Sequence, residues 1–327
     1  MHFYERREFM GRMLGGLAMT VALPSPAQST YPNKPIRMIL PFAAAGPTDV
    51  VGRIIAAKLG EELGQTVVVE NRAAASGVVA GEFVARAAPD GYNLLFMSST
   101  MVTAAALGSK LPYDVIKDFT PVAWTTTVPL VLLVKPDSPL RTVQDLMKML
   151  AANPGKYTYG SGGNGTIIHV VCLQLLQASG SSAVHVAYKG TGPALIDLMS
   201  GQIDFAIDAM SSAMGFIRSG QLRPLVVTSS ERMALLPNVP TVAETWVPGF
   251  TASTFNGVLV PLGTPAPVIA KLNAALNKVV RNPEVRQQLE SRGALVEEGP
   301  PEKMAAFLKT ELDRWTGVLR TAGIKAE

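Results

Sequence analysis

Short unbroken apolar runs alternate along this chain with stretches in which apolar residues recur every three or four positions, the signature of strands alternating with helices. From Ile36 the run IRMILPF leads into the loop AAAGPTD, and a helical period follows over 50–63. A strand over 66–69, a helix over about 78–87 and a strand over 92–97 come next, ending at Ser98 and Ser99. After Pro154 the order repeats: strand KYTYG, loop SGGNG, helix 166–177, strand AVHVAY, helix 194–199 and strand IDFAID, followed by Ser211 and Ser212. Two β-α-β-α-β units therefore stand in tandem with little residue identity between them, a repeat of pattern rather than of sequence. Strands as continuously apolar as LLFM and VLLV are expected in parallel sheets covered on both faces, with ligands bound beyond their carboxyl ends. Two such sheets facing each other would bring the loops of both halves to one cleft. The segment 265–322 predicts two or three amphipathic helices, broken at Asn282-Pro283 and at Gly299-Pro300-Pro301, that return to the first half.

The first thirty residues have another character. Arg6 and Arg7 precede an apolar stretch over 13–23 that is too short to cross a bilayer, and small residues close it at Ser25, Pro26 and Ala27. This predicts a cleavable secretory signal over 1–27, of twin-arginine type and cut after Ala27, and hence a periplasmic location. No later segment reaches about 18 uninterrupted apolar residues, so a soluble mature chain is expected.

Composition narrows the possibilities. With 48% hydrophobic and 17% charged residues in 327, the chain has the makings of packed cores and is not a disordered one. Its one cysteine, Cys172, excludes a disulfide scaffold. The net charge of +4 is scattered without basic runs, so no nucleic-acid partner is expected.

Candidate chemistry is sparse. Gly160 to Gly165 read G-S-G-G-N-G between a strand and a helix, as a dinucleotide fingerprint would, but the next strand ends Tyr188-Lys189-Gly190 without the acidic residue that holds a ribose. An exported NADP-dependent oxidoreductase, with Lys189 on the 2′-phosphate, stays open as the alternative. The plainer reading is an anion site: a glycine-rich turn bares amides at a helix N-terminus, where the helix dipole favours negative charge. The loop Phe42 to Asp49 repeats the arrangement, with Gly46 allowing close approach and Thr48 or Asp49 placed to cap the helix. Tight, capped turns without a ligand would look the same. His169 and Cys172 fall short of a metal site, Ser161 lacks the nucleophile-elbow pattern, and a triad of Ser161, His169 and Asp208 would need the fold to assemble it. No catalytic residue, metal or cofactor is expected.

The strings PFAAAGPTDVVGR, VVVENR, PDGY, KLPYDVIKDFTPV, YGSGGNGT, YKGTGPAL, GQIDFAIDAM, LPNVPTVAET and APVIAKLN occur in this order from Tyr31 onward. In them the chain resembles the periplasmic receptors of tripartite tricarboxylate transporters, the Bordetella uptake gene family. The resemblance implies an α/β, two-domain type II periplasmic-binding-protein fold, each domain a mostly parallel sheet flanked by helices with the ligand cleft between them. The domains would be 28–127 plus 250–327, and 128–249, with hinges near 128–134 and 225–241. It implies a receptor, not an enzyme, expected to be a monomer, that closes on a small carboxylate and delivers it to membrane permease subunits. Carried over by motif, the ligand-binding residues are Phe42, Gly46, Thr48, Asp49 and Ser98 from the first domain, with Ser161, Gly165, Thr166, His169, Tyr188, Lys189, Gly190 and Asp208 from the second. The Thr166 hydroxyl is expected to face the ligand, so that its loss would cost affinity and not stability.

Several positions depart from the family pattern. Ala45 stands where a second glycine is usual in the first loop, and Met101, Ala104, Ala209 and Phe255 stand where histidine, asparagine, asparagine and tryptophan are frequent. These replacements predict a pocket with fewer polar groups and a ligand with one carboxylate and an apolar remainder, such as an aromatic or branched acid.

Overall fold

The computed structural model describes residues 31–73 and 77–321. The expected signal over 1–27 and its cleavage after Ala27 lie outside the described residues.

The first half runs β1 (Ile36–Leu40), α1 (Pro47–Leu63), β2 (Val67–Asn71), α2 (Val78–Ala85), β3 (Asn93–Ser98) and α3 (Ser99–Ala106). A 16-residue strand, β4 (Phe119–Val134), leads out of it. The second half runs α4 (Val143–Ala152), β5 (Thr158–Ser161), α5 (Ile167–Ala178), β6 (Val184–Ala187), α6 (Thr191–Ser200), β7 (Phe205–Ala209), α7 (Met210–Arg218) and β8 (Arg223–Val227). The chain returns through α8 (Val242–Thr245) and β9 (Ser253–Pro261), and ends in α9 (Ala266–Arg281), α10 (Pro283–Glu290), β10 (Leu295–Val296) and α11 (Pro301–Thr321). The three C-terminal helices break at the expected prolines. They pack with α9 against α1 and α11 against α3 and the crossing strand β4.

Local chemistry explains most boundaries. A capping box of Thr142 and Asp145 starts α4, and Gly64, at φ 64°, ends α1 in the left-handed conformation that glycine adopts without steric cost. In β1 and β3 almost every residue is buried, which is why both read as unbroken apolar runs and not as alternating ones. Two helices, α3 and α7, escaped the sequence pattern, where Ser98-Ser99 and Ser211-Ser212 read as strand-end loops. They follow their strands without a connecting residue, and α3 is buried from Ser99 through Ala104, so it shows no polar face.

The strands follow the order β2-β1-β3-β9-β4-β7-β5-β6, with β8 and β10 also paired to β4. The outer strands are parallel in each half, β2-β1-β3 and β6-β5-β7, as the strand-helix alternation predicts. The centre is not: β9 runs antiparallel to β3 and β4, and β4 antiparallel to β7 and β8, because both strands carry the chain from one half to the other. Along β4, residues up to Pro129 pair with β9 and those from Leu130 pair with β7. Thr228 fastens this changeover, its hydroxyl taking the Leu130 amide at 2.9 Å while its side chain also reaches the Ala252 carbonyl at 2.6 Å.

Candidate functional site

Parallel strands followed by helices aim helix N-termini at the carboxyl edge of each sheet, and four of them meet in one pocket. Gly46, Ser98, Thr166 and Gly190, the N-cap residues of α1, α3, α5 and α6, all line it. The N-termini pair across the gap between the halves. A Cβ on Gly190 would stand 3.6 Å from Ala43 in the β1-α1 loop, and the Ile167 amide of α5 lies 3.5 Å from the Thr100 hydroxyl of α3. Thr103 of α3 also donates to the Gly165 carbonyl at 2.9 Å. The pocket is small, about 30 Å³, and its wall is completed by Phe42, Pro47, Thr48, Thr100, Gly162, Ile167, Ile168, Thr191 and Thr254. No charged side chain is among these residues. The wall offers amides, hydroxyls and the positive ends of four dipoles, each equivalent to roughly half a charge, which is a site for an anion.

Two wall hydroxyls are unspent. Ser98 and Thr191, 2% and 4% exposed, have no hydrogen-bond partner for Oγ and Oγ1, and Ser98 does not cap its own helix. One comes from each half.

The β1-α1 loop is braced from behind. Asp49 is not the cap of α1; Gly46 holds that position, with Pro47 first in the helix. The Asp49 carboxylate instead reaches back to the Ala45 amide at 3.0 Å, takes the Arg53 guanidinium at 2.9 Å, and accepts from Asn71 at 2.8 Å. Burial alone would raise its pKa, but these hydrogen bonds from Arg53, Asn71 and Ala45 outweigh it and hold the carboxyl below its ordinary range. Asn71 also donates to the Phe42 carbonyl at 2.9 Å, tying β2 to the pocket wall. Ala45, at φ 66°, is the one non-glycine among the described residues with a left-handed backbone. The departure noted in the sequence thus falls where glycine would fit without strain.

The glycine-rich loop has its own support. Ser161, fully buried, accepts from the Gly163 amide at 3.1 Å and meets His185 Nε2 at 2.6 Å. His169 Nδ1 accepts the Gly165 amide at 3.1 Å, and its ring stacks on that of His185 with centroids 4.0 Å apart. Burial, and secondarily the neighbouring His185, lowers the His169 pKa to about 4, so the ring is neutral and able to accept. Ser161 pairs with His185 and not with His169, and Asp208 bonds Ser212, so the conceivable Ser161-His169-Asp208 triad is not assembled. Cys172 is buried in the core, where burial pushes its thiol up.

Of the residues singled out in the sequence, Phe42, Gly46, Thr48, Ser98, Thr166 and Gly190 form the wall. Asp49, Ser161, Gly165, His169 and Asp208 are not part of it; the first four brace the loops that form it. Tyr188 and Lys189 are not part of the wall either: the Tyr188 hydroxyl donates to Asp197 at 2.7 Å and Lys189 is exposed. Thr166 does not offer its hydroxyl to a ligand, because it accepts the His169 amide as the cap of α5 and donates to the Gly163 carbonyl at 2.8 Å. Met101, Ala104, Ala209 and Phe255 are buried away from the wall, Phe255 against Phe307. The apolar part of the pocket comes instead from Phe42, Pro47, Ile167 and Ile168. Gly162 and Thr191 adjoin motifs already recognised, whereas Thr254 reaches the pocket only because β9 lies beside β3, which no local signal announces.

Residues 51–324 match the family model described as the tripartite tricarboxylate transporter family receptor. The chain belongs to this receptor family. It is 36% identical over 316 residues to protein BugT of Bordetella pertussis, covering 96% of this chain and 97% of that one. The solved structure of periplasmic binding protein BugD superimposes with a TM-score of 0.88 at 34% identity, over 91% of this chain and all of that chain. MatC of Rhodopseudomonas palustris, solved with bound malate, gives 0.85 at 35% identity, over 88% of this chain and all of that one. The receptor family is one of periplasmic solute-binding proteins and not of enzymes, and the fold is the periplasmic-binding-protein fold expected. The oxidoreductase alternative is set aside on the same ground.

Proposed function

We propose that this protein captures a small organic acid with one carboxylate and an apolar remainder, closing its two lobes around it and presenting it to the membrane subunits of a tripartite tricarboxylate-type permease. The observation that carries this reading is the meeting of four helix N-termini on a pocket without a charged side chain. Such a wall stabilises a carboxylate by amides and hydroxyls, and it offers no acidic partner for an ammonium group. Phe42, Pro47, Ile167 and Ile168 suit the apolar remainder, whose burial contributes on the order of 25 cal/mol per Å². The malate of MatC is a precedent for the carboxylate; its second carboxylate and its hydroxyl are what this reading replaces by an apolar remainder.

Closure is a hinge motion of two lobes, 28–127 with 250–327, and 128–249, about the crossings in β4 and between β8 and β9. The ligand favours the closed form by the contacts it makes only there. Export by the signal over 1–27 and a monomeric state belong to the same reading. Calorimetry with benzoate, 3-methylbutanoate, adipate, malate and citrate tests it. Tight binding of an aromatic or branched monocarboxylate supports the proposal, and tight binding of citrate or malate with none for the monocarboxylates overturns it.

A further inference from the structure

Asp208, one residue before the end of β7, is fully buried and forms no ion pair among the described residues. Its Oδ2 takes the Ser212 hydroxyl at 2.5 Å, while its Oδ1 has no hydrogen-bond partner. The Thr191 hydroxyl of α6, itself without a closed hydrogen bond, belongs to a residue that lines the pocket and is near enough to act on that carboxyl. A buried carboxyl with an open Oδ1 and a pocket-lining hydroxyl without a closed hydrogen bond are thus neighbours beside an anion site that contains no cation. A buried polar atom left unpaired is costly, and so is a buried carboxylate without a counter-ion.

A single proton resolves both. Placed on Oδ1, it is donated to Thr191 Oγ1, and the hydrogen of Thr191 is then free to point into the pocket. With Asp208 ionised, the Thr191 hydrogen is drawn back to the carboxylate and its lone pairs face the ligand. We propose that Asp208 is a proton-carrying positioning residue: its protonation turns the Thr191 hydroxyl into a donor toward the bound carboxylate, so that ligand capture takes up one proton. This rests on the reading of the pocket as a carboxylate site.

The surroundings of Asp208 are consistent with such a proton. Burial raises its carboxyl to about 6, against the opposing influence of the bonded Ser212 hydroxyl and the neighbouring Thr191 hydroxyl and Ala209 amide. The elements packed on β7 are β4, β5, α5, α6 and α7. Their titratable side chains are Tyr159 on β5, His169 and Cys172 on α5, Asp197 on α6 and Arg218 on α7, with none on β4. None of these is among the causes acting on the Asp208 carboxyl.

The test is titration calorimetry of the whole mature protein with benzoate, 3-methylbutanoate and adipate, from pH 5.5 to 8, in buffers of different ionisation enthalpy. The expected result is uptake of close to one proton per ligand near pH 7 and an affinity that falls by up to about tenfold per pH unit above pH 6.5. In Asp208→Asn the carboxamide donates to Thr191 at every pH, so proton uptake vanishes and binding at pH 8 exceeds that of the wild type. Thr191→Val, which breaks the link while leaving Asp208 in place, flattens the profile at lower affinity. A wild-type affinity independent of pH with no proton uptake overturns the proposal, as does an unchanged slope in either folded variant. Should none of the acids bind the wild type even at pH 5.5, it is the carboxylate reading itself that falls.

Discussion

His169 Nδ1 accepts the amide of Gly165, four residues earlier, at 3.1 Å, so the imidazole of α5 holds the last turn of the glycine-rich loop. Acceptance requires the neutral ring. An unfolded histidine has a pKa near 6.5 and this one is lowered to about 4, by burial first and by His185 second. The fold therefore disfavours protonation: the stability this ring contributes is complete above pH 6.5 and is lost as pH falls toward 4. The loss should reach about 3 kcal/mol. In His169→Gln, whose amide oxygen can accept without titrating, melting temperature should fall less between pH 7 and pH 4.5 than in the wild type. Parallel pH profiles for the two proteins would show that the bond does not depend on a neutral ring.

Ala45 occupies φ 66° while its amide serves Asp49. The left-handed region costs an L-residue about 1–2 kcal/mol, and glycine escapes that cost while losing more entropy on folding. Ala45→Gly should therefore stabilise the protein by about 0.5–1 kcal/mol, measured as a higher urea midpoint with an unchanged slope. A lower midpoint would mean that the surrounding loop relaxes around alanine without strain.

Much of this arrangement was legible before any coordinates. The loops after β1 and β5 announce themselves because Gly46 and the run Gly160 to Gly165 interrupt a strand-to-helix pattern, although the cap of α1 falls on Gly46 and not on Thr48 or Asp49. What was not legible is whether a polar side chain faces the pocket or its own backbone. Thr166 and Ser98 are both small hydroxyl residues at helix starts, yet one is committed to the cap and the other is unspent. The antiparallel strand β9 was hidden for another reason. It is a return crossing that the alternation of strands and helices does not encode, and it alone brings Thr254 to Ser99 and the pocket.

The same pair yields a prediction in which stability and affinity separate. Thr166→Val removes a cap and should cost about 1–2 kcal/mol, with a lower melting temperature. Ser98→Ala removes a hydroxyl that has no partner in the fold, so melting temperature should stay nearly level. Its affinity for the best-bound acid of the calorimetric panel should nevertheless drop about five- to tenfold, the value of one ordinary hydrogen bond. If Ser98→Ala lost stability and kept its affinity, the hydroxyl would not belong to the ligand.

Asn71 lies in β2, outside the pocket, yet its amide group donates to both the Phe42 carbonyl and the Asp49 carboxylate. Asn71→Ala leaves the carbonyl without this donor, at a cost of about 1–2 kcal/mol, and lets the pocket-lining Phe42 shift. Asn71→Asp keeps the shape but replaces the donor by a second carboxylate beside Asp49, whose pKa is held down by the present arrangement. Like charges at that distance repel, so this variant should be the less stable of the two at pH 7. Acid should reverse the order. Once the new carboxyl is protonated, near pH 4, it can donate again, so Asn71→Asp should regain stability relative to Asn71→Ala. Chemical denaturation of both variants at pH 7 and pH 4 measures the crossover, and equal losses at the two pH values would show that Asn71 acts by packing and not by its donor.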